Sequence, residues 1–381
     1  MLPPTVKALL EPQAYPHKPQ KIELVQTQMS FIFLTGEYVY KIKKPVNLGY
    51  LDYTTLEKRH FFCQQELEMN RRLCPDAYLA VVSIVEEKGE LRIEGQGKAI
   101  EYAVKMKQLP QDRMMDVLLA RGQVTPEMVA RVAEKLVNFH QKAETNPKIA
   151  AFGKLDVISR NTDENFAQTE KYIGTSITAE AYQNIKNYTN NFIDNNTSLF
   201  DKRVREGRIR DCHGDLHAAH VCYTDDTRLP ARRTCSPYDS SRRVTPAGEP
   251  SPGGQVCIYD CIEFNDRFRY SDAASEVAFL AMDLDRYQQA SLSRHLVSTY
   301  VGLSHDEELL KLLNFYKCYR AYVRGKVESF KLDDPLISQS EKAKALESAG
   351  SYFRLAESYT LHMRGKEQDA GCEGRAPFGC V

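Results

Sequence analysis

The sequence has no excess charge of either sign, no apolar run long enough to span a bilayer, no CxxC pair and no phosphate-loop motif. Lysine plus arginine and aspartate plus glutamate both number 51 in 381 residues, so no global field favours nucleic acid or an anionic membrane. A membrane-crossing helix needs about 18 consecutive apolar residues, and no such run occurs. The opening MLPPTVKALLEPQAYP is broken by prolines and lacks the apolar centre of a secretory signal. A cytoplasmic protein without nucleic-acid or membrane partners is therefore expected. Nothing in the sequence sets an oligomeric state. Ten cysteines are present, but zinc ribbons and fingers require close pairs. The scattered thiols read as buried, reduced residues without assigned function. No GxxxxGK[ST] occurs, and EGQGKAI near residue 97 has the wrong spacing for one and reads as a hairpin edge. There is no internal repeat.

What is present divides the chain by element type. MSFIFLTGEYVYKIKKP reads as two strands about a Thr35-Gly36 turn. Thr54 and Glu57 form a capping box for a helix from about Thr55 to Leu73. AYLAVVSIVEEKGELRIEG reads as a second hairpin and AIEYAVKMKQL as a further strand. Beyond residue 107 helical periodicity dominates, beginning where Thr125-Pro126 cap EMVARVAEKLVNFHQKAE. Strands followed by helices indicate α+β: a small β-rich lobe over 1–107 and a larger helical lobe over 108–364. Residues 224–255 and the tail 365–381 are rich in Gly, Pro, Ser or charge without apolar period, and read as disordered.

One stretch concentrates chemistry. CHGDLHAAHV, Cys212 to Val221, brings His213, Asp215, His217 and His220 close together. Imidazoles and a carboxylate suit a transition-metal cage, the catalytic loop of a phosphoryl-transfer enzyme, or a turn with surface histidines. Downstream, Ile258-Tyr259-Asp260 is an apolar strand ending in a carboxylate. A loop Asp followed by a strand-end Asp is what transfer from Mg·ATP requires: one orients the acceptor hydroxyl and takes its proton, the other holds magnesium. Upstream, Lys41 ends the apolar stretch Tyr38-Val39-Tyr40, where a strand lysine could reach phosphates, and Glu66 sits mid-helix where it could pair with that lysine. Singly, these read as a solvated edge lysine and a helix-surface glutamate. Lys43 shares the face of Lys41 under strand alternation and is its rival.

HGDLHAAH followed by IYDCIEFNDRFRYSDAASEVAFLAMDLD resembles the aminoglycoside phosphotransferase family, whose kinase-like fold carries HGDxHxxN and then a strand-borne Asp. VYKIKKPVNLGYLDYTTLEKRHFFCQQELEMNRRL with IEFNDRFRY is similar to a bacterial branch often fused to a P-loop ATPase domain, a motif absent from this sequence. The resemblance covers roughly residues 20 to 330 and implies a two-lobed protein-kinase-like fold with ATP in the cleft and adenine held near Met106-Leu109. It implies Asp215 as catalytic base and His213 as the brace of its loop. Lys41 and Glu66 become the nucleotide-positioning pair and Asp260 the principal magnesium ligand. His220 occupies the slot of a magnesium-binding Asn, a cofactor-binding and metal role for which imidazole is the poorer ligand. Asp272 and Glu276 fall where acidic residues buttress the loop, and His217 serves loop packing or substrate-side polarity. No GxGxxG cover is present, and QTQMSFIF would have to serve.

The expected function is ATP-dependent phosphorylation of a small-molecule hydroxyl, with ATP and Mg2+ as cofactors and the acceptor unnamed. The rival is a kinase-like nucleotide-binding module with little or no transferase activity. A His/Asp metal hydrolase ranks third.

Overall fold

A computed structural model describes residues 2–224, 255–335 and 337–372, with side chains as far as 361 in the last helix. Of the two segments read as disordered, 225–254 and 373–381 lie outside the described residues, while Thr224 and Gln255 are strand residues and 365–372 continue the last helix. In chain order, residues up to 123 form α1 (Pro4–Ala8), β1 (Glu23–Gln26), β2 (Ser30–Leu34), β3 (Tyr38–Lys43), α2 (Leu56–Arg71), β4 (Tyr78–Glu87), β5 (Glu90–Ile93), β6 (Ala99–Lys107) and α3 (Met115–Ala120). Residues 124–218 form α4 (Pro126–Lys142), α5 (Pro147–Ala150), α6 (Leu155–Thr169), α7 (Ala179–Asn195), α8 (Thr197–Arg205) and β7 (Ile209–Asp211). There follow β8 (Val221–Thr224), β9 (Gln255–Ile258), α9 (Asp266–Arg269), β10 (Tyr270–Asp272), α10 (Ala273–Arg286), α11 (Ala290–Ser304), α12 (Leu309–Phe330) and α13 (Gln339–Cys372). The fold class is α+β. Two compact units result, Met1–Gln123 with Ala219–Asp260, and Val124–Ala218 with Cys261–Val381.

The first unit is built on a six-stranded antiparallel sheet of order β1-β2-β3-β6-β4-β5. The expected hairpin turns at Thr35-Gly36, where Gly36 has φ +89°, a conformation that glycine adopts without a Cβ penalty. Alternation along β3 sorts its residues between two cores. Tyr40 and Ile42 join Phe31, Phe33, Ile84 and Tyr15 on one face. Val39 joins Cys63, Tyr78, Val104 and Cys257 on the other, so Lys41 and Lys43 point to the side that α2 covers. The α2 cap is Thr55, whose hydroxyl accepts from Lys58 N at 3.2 Å. Thr54 is unavailable for that role because its N–H and hydroxyl both bond the Asp52 carboxylate.

Cys74, just beyond α2, and Cys257 on β9 form a disulfide, which corrects the reading of every thiol as reduced. Their Cα atoms lie 4.8 Å apart across 183 residues of sequence, a pairing that linear spacing does not reveal. The described free cysteines, Cys63, Cys212, Cys222, Cys261 and Cys318, are all buried.

The second unit is helical around α10, α12 and α13. Phe279, Met282, Cys318, Ala321, Tyr322, Tyr352 and Phe353 belong to one core, and every residue of α10 from Ala273 to Leu284 is buried. Thr125 caps α4 as expected, accepting from Met128 N. Buried Arg203 on α8 pairs with Asp272 at 2.6 Å and with Asp306, fixing the strand that enters α10. Among the helices that the sequence reading does not name, α6 and α11 are the longest. LDVISRNTDENFAQT buries Thr162, Asn165 and Thr169 beside Phe166, which blurs its apolar face, whereas ASLSRHLVSTYVGLS buries Leu292, Leu296, Val297 and Tyr300 at helical spacing among serine and β-branched residues of lower helix propensity. Among the described residues no helix is long and apolar enough to cross a membrane.

Candidate functional site

Within the first unit, β3, α2 and the end of β9 bring three sequence-predicted residues together. Lys41 Nζ lies 2.8 Å from Glu66 Oε1 and 2.7 Å from Asp260 Oδ1. Lys43 Nζ reaches the other oxygen of Glu66 at 2.8 Å and sits 4.8 Å from the centre of the Tyr53 ring. Both lysines therefore touch Glu66, and exposure separates them: the Lys43 side chain is 1% exposed and that of Lys41 15%. Glu66 is itself buried, not a surface glutamate. Burial alone would push its carboxyl up, but Lys41 and Lys43 hold it below the ordinary value.

Asp260 follows β9 with φ +61°, a left-handed conformation uncommon for a residue with a side chain. Its N–H donates to the Tyr78 hydroxyl at 3.2 Å. Burial drives the Tyr78 phenol well above its usual range, and the carboxylates of Glu66 and Asp260 add to this, so Tyr78 remains a neutral acceptor. The Asp260 carboxylate is 42% exposed, the most open group of the cluster. His220 Nε2 stands 3.6 Å from Asp260 Oδ2. The His220 carbonyl accepts from Tyr259 N at 3.1 Å and the Tyr259 hydroxyl donates to Ala219 O at 2.9 Å, which locks this segment to β9.

The second unit carries the loop from His213 to Ala218. Its first turn wraps around one carboxylate: His213 N and Gly214 N donate to Glu276 Oε1 at 2.7 and 2.8 Å. Glu276 Oε2 bonds His140 at 2.7 Å, and His140 bonds the Tyr300 hydroxyl at 2.8 Å. Burial opposes the Glu276 charge, but the hydrogen bond and charge of His140, with His213 and Gly214, lower its pKa to about 2. Gly214 has φ +90°, and a Cβ there would meet Phe268 O at 2.8 Å. His213 is fully buried, and its Nδ1 accepts from Asp215 N at 3.3 Å. Asp215, with its carboxylate 31% exposed, faces His217 Nε2 at 3.5 Å, while the His217 ring lies 5.9 Å from that of Phe279. The loop ends where Ala218 N donates to Asp283 Oδ2 at 2.8 Å.

The motifs did not single out Tyr78, Asp283 or Arg320. Arg320 donates to Gly214 O at 3.2 Å and to Ser275 Oγ at 3.1 Å. A signal existed for Asp283: with Glu276 it is one of two charged residues in the apolar run AASEVAFLAMDL, and buried charges of that kind need partners.

No family model matches the chain. Over 307 residues it is 29% identical to uncharacterized proteins of Mycobacterium tuberculosis and Mycobacterium bovis, a match covering 81% of this chain and 54% of theirs. The chain thus spans about half the length of the curated relatives it matches. Among solved structures it is similar to a choline/ethanolamine kinase family protein from Mesorhizobium loti, at 11% identity and TM-score 0.48, covering 94% of this chain and 99% of that one. It is also similar to an aminoglycoside phosphotransferase from Alicyclobacillus acidocaldarius, at 11% identity and TM-score 0.46, with 97% of each chain covered. A glucosamine kinase in complex with glucosamine, ADP and inorganic phosphate matches at 12% identity and TM-score 0.47, over 91% of this chain and 76% of that one.

Proposed function

We propose that this chain is an ATP-dependent phosphotransferase that moves the γ-phosphoryl group of Mg·ATP to a hydroxyl of a small molecule. The observation that carries the reading is the buried Glu66 holding Lys41, which in turn reaches Asp260. A lysine held by one buried carboxylate, with its ammonium beside a second and exposed one, is arranged to meet phosphates next to a cation. The donor set fits magnesium, a hard ion that keeps several waters and needs few protein carboxylates. Asp260 would hold it, with His220 beside it, and when bound it offsets the charge of the triphosphate. Lys41 positions the phosphates, and the backbone near Met106-Leu109 takes the adenine. Asp215, on a loop pinned by Glu276 and braced by His213, orients the acceptor hydroxyl and takes its proton as the phosphoryl group transfers in line.

The test is ATP consumption by the purified chain across a panel of hydroxylated metabolites and antibiotics. Asp215→Asn is expected to keep nucleotide affinity and to lose about two or more orders of magnitude in transfer. Normal turnover by that variant would remove Asp215 from the role. One feature favours the rival, a nucleotide-binding module without turnover: imidazole stands where an amide oxygen would suit magnesium better. Nucleotide binding with no acceptor consumed, and no gain in His220→Asn, is the result expected from the rival.

A further inference from the structure

The second unit gathers positive charge beside the Asp215 loop that the reading above does not use. Arg320 and Arg324 lie one turn apart on α12 and so share a face. Arg320 is spent on the loop: it donates to Gly214 O and Ser275 Oγ and covers the Phe279 ring at 4.9 Å. Arg324 is not. Its guanidinium lies 5.7 Å from the centre of the Tyr352 ring, and Arg286 from α10 lies 4.4 Å from that same centre. The Nε of Arg324 is buried with no hydrogen-bond partner, and among the described residues neither guanidinium makes a salt bridge. Burial opposes the Arg324 charge, while Tyr352, Asp215 and Asp283 hold it on. Asp283 also receives Ala218 N, so this group of residues adjoins the end of the loop.

The buried Nε of Arg324 is thus a donor left without an acceptor, beside a second arginine on the same ring. An oxyanion would supply that acceptor, because the guanidinium fork matches a pair of carboxylate or phosphate oxygens. We infer that the acceptor is itself an anion, carrying a carboxylate or phosphate that seats on Arg324 and Arg286 over Tyr352 while its hydroxyl faces Asp215. This rests on the phosphotransferase reading. The step balances as hydroxyl plus ATP giving phosphate ester plus ADP: the acceptor oxygen bonds the γ-phosphorus, the bond from that phosphorus to the β–γ bridging oxygen breaks, and Asp215 takes the proton.

The experiment measures ADP release by the full chain with hydroxy acids, sugar phosphates, neutral polyols and amino alcohols, for wild type, Arg324→Met and Arg324→Lys. Turnover is expected with the anionic acceptors. Arg324→Met should raise the acceptor KM about 100-fold, a scale set by losing a charge-assisted contact, with kcat and the ATP KM within about twofold, and Arg324→Lys should recover part of the loss. The choice between hydroxy acids and sugar phosphates identifies which oxyanion is read. Efficient use of an amino alcohol, unchanged in Arg324→Met, overturns the inference and leaves the kinase reading standing. If nothing is phosphorylated, calorimetry with inorganic phosphate and with glycerate decides: binding lost in Arg324→Met supports the anion site, and equal or absent binding in both proteins overturns it.

Discussion

Lys41 and Lys43 are two residues apart, point the same way from β3 and touch opposite oxygens of one carboxylate, yet their surroundings assign them different work. Lys43 is enclosed, with Glu66 and the Tyr53 ring as its surroundings, and has no open side toward a ligand. Lys41 also reaches Asp260, whose carboxylate is open. Lys43→Met should therefore cost about 2 kcal/mol of stability, less than a fully broken buried pair because Glu66 keeps Lys41. Lys41→Met should cost less in stability but weaken nucleotide binding about tenfold or more. Denaturant melts and nucleotide titrations of both variants check this, and the reverse pattern would exchange their roles.

At the scale of elements, α10 organises the loop from His213 to Ala218 by presenting Glu276 near its start and Asp283 near its end. Glu276 is held at about 2, against 4.5 ordinarily, so between those values the unfolded chain binds more protons than the folded one. Its contribution is complete above about pH 4.5 and is lost as pH falls toward 2, and is on the order of 3 kcal/mol by linkage. Wild type should thus be more stable than Glu276→Gln at pH 7, with the part of the gap due to the charge narrowed to less than half at pH 3. Chemical denaturation of both proteins at the two pH values measures it. A gap that does not change with pH would mean that the two loop N–H groups, rather than the charge, account for what Glu276 contributes.

At the scale of the whole molecule, the chain visits each unit twice, and β8 and β9 return to the first unit with Cys257 and Asp260. Thr224 and Gln255 are antiparallel partners at the open end of that ladder, so a turn of about four residues can join them. Replacing residues 225–254 with such a turn should leave the fold and nucleotide affinity intact. Circular dichroism and nucleotide titration are the readouts, and loss of either would show that the replaced stretch contributes contacts of its own.

The sequence alone determined the α+β class, the hairpin at Thr35-Gly36, the Thr125 cap and the residues worth watching, because these depend on local periodicity, turn chemistry and motif spacing. Strand alternation even placed Lys41 and Lys43 on one face. The tertiary structure decided what that face meets. Glu66 could be read as solvated or paired, and only packing against β3 buries it between two lysines. The Cys74–Cys257 bond, the wrapping of the loop around Glu276 and the Arg324–Tyr352–Arg286 group each join residues far apart in the chain. Their energies come from burial and from charge in a low dielectric, which are properties of three-dimensional neighbourhoods that no linear spacing encodes.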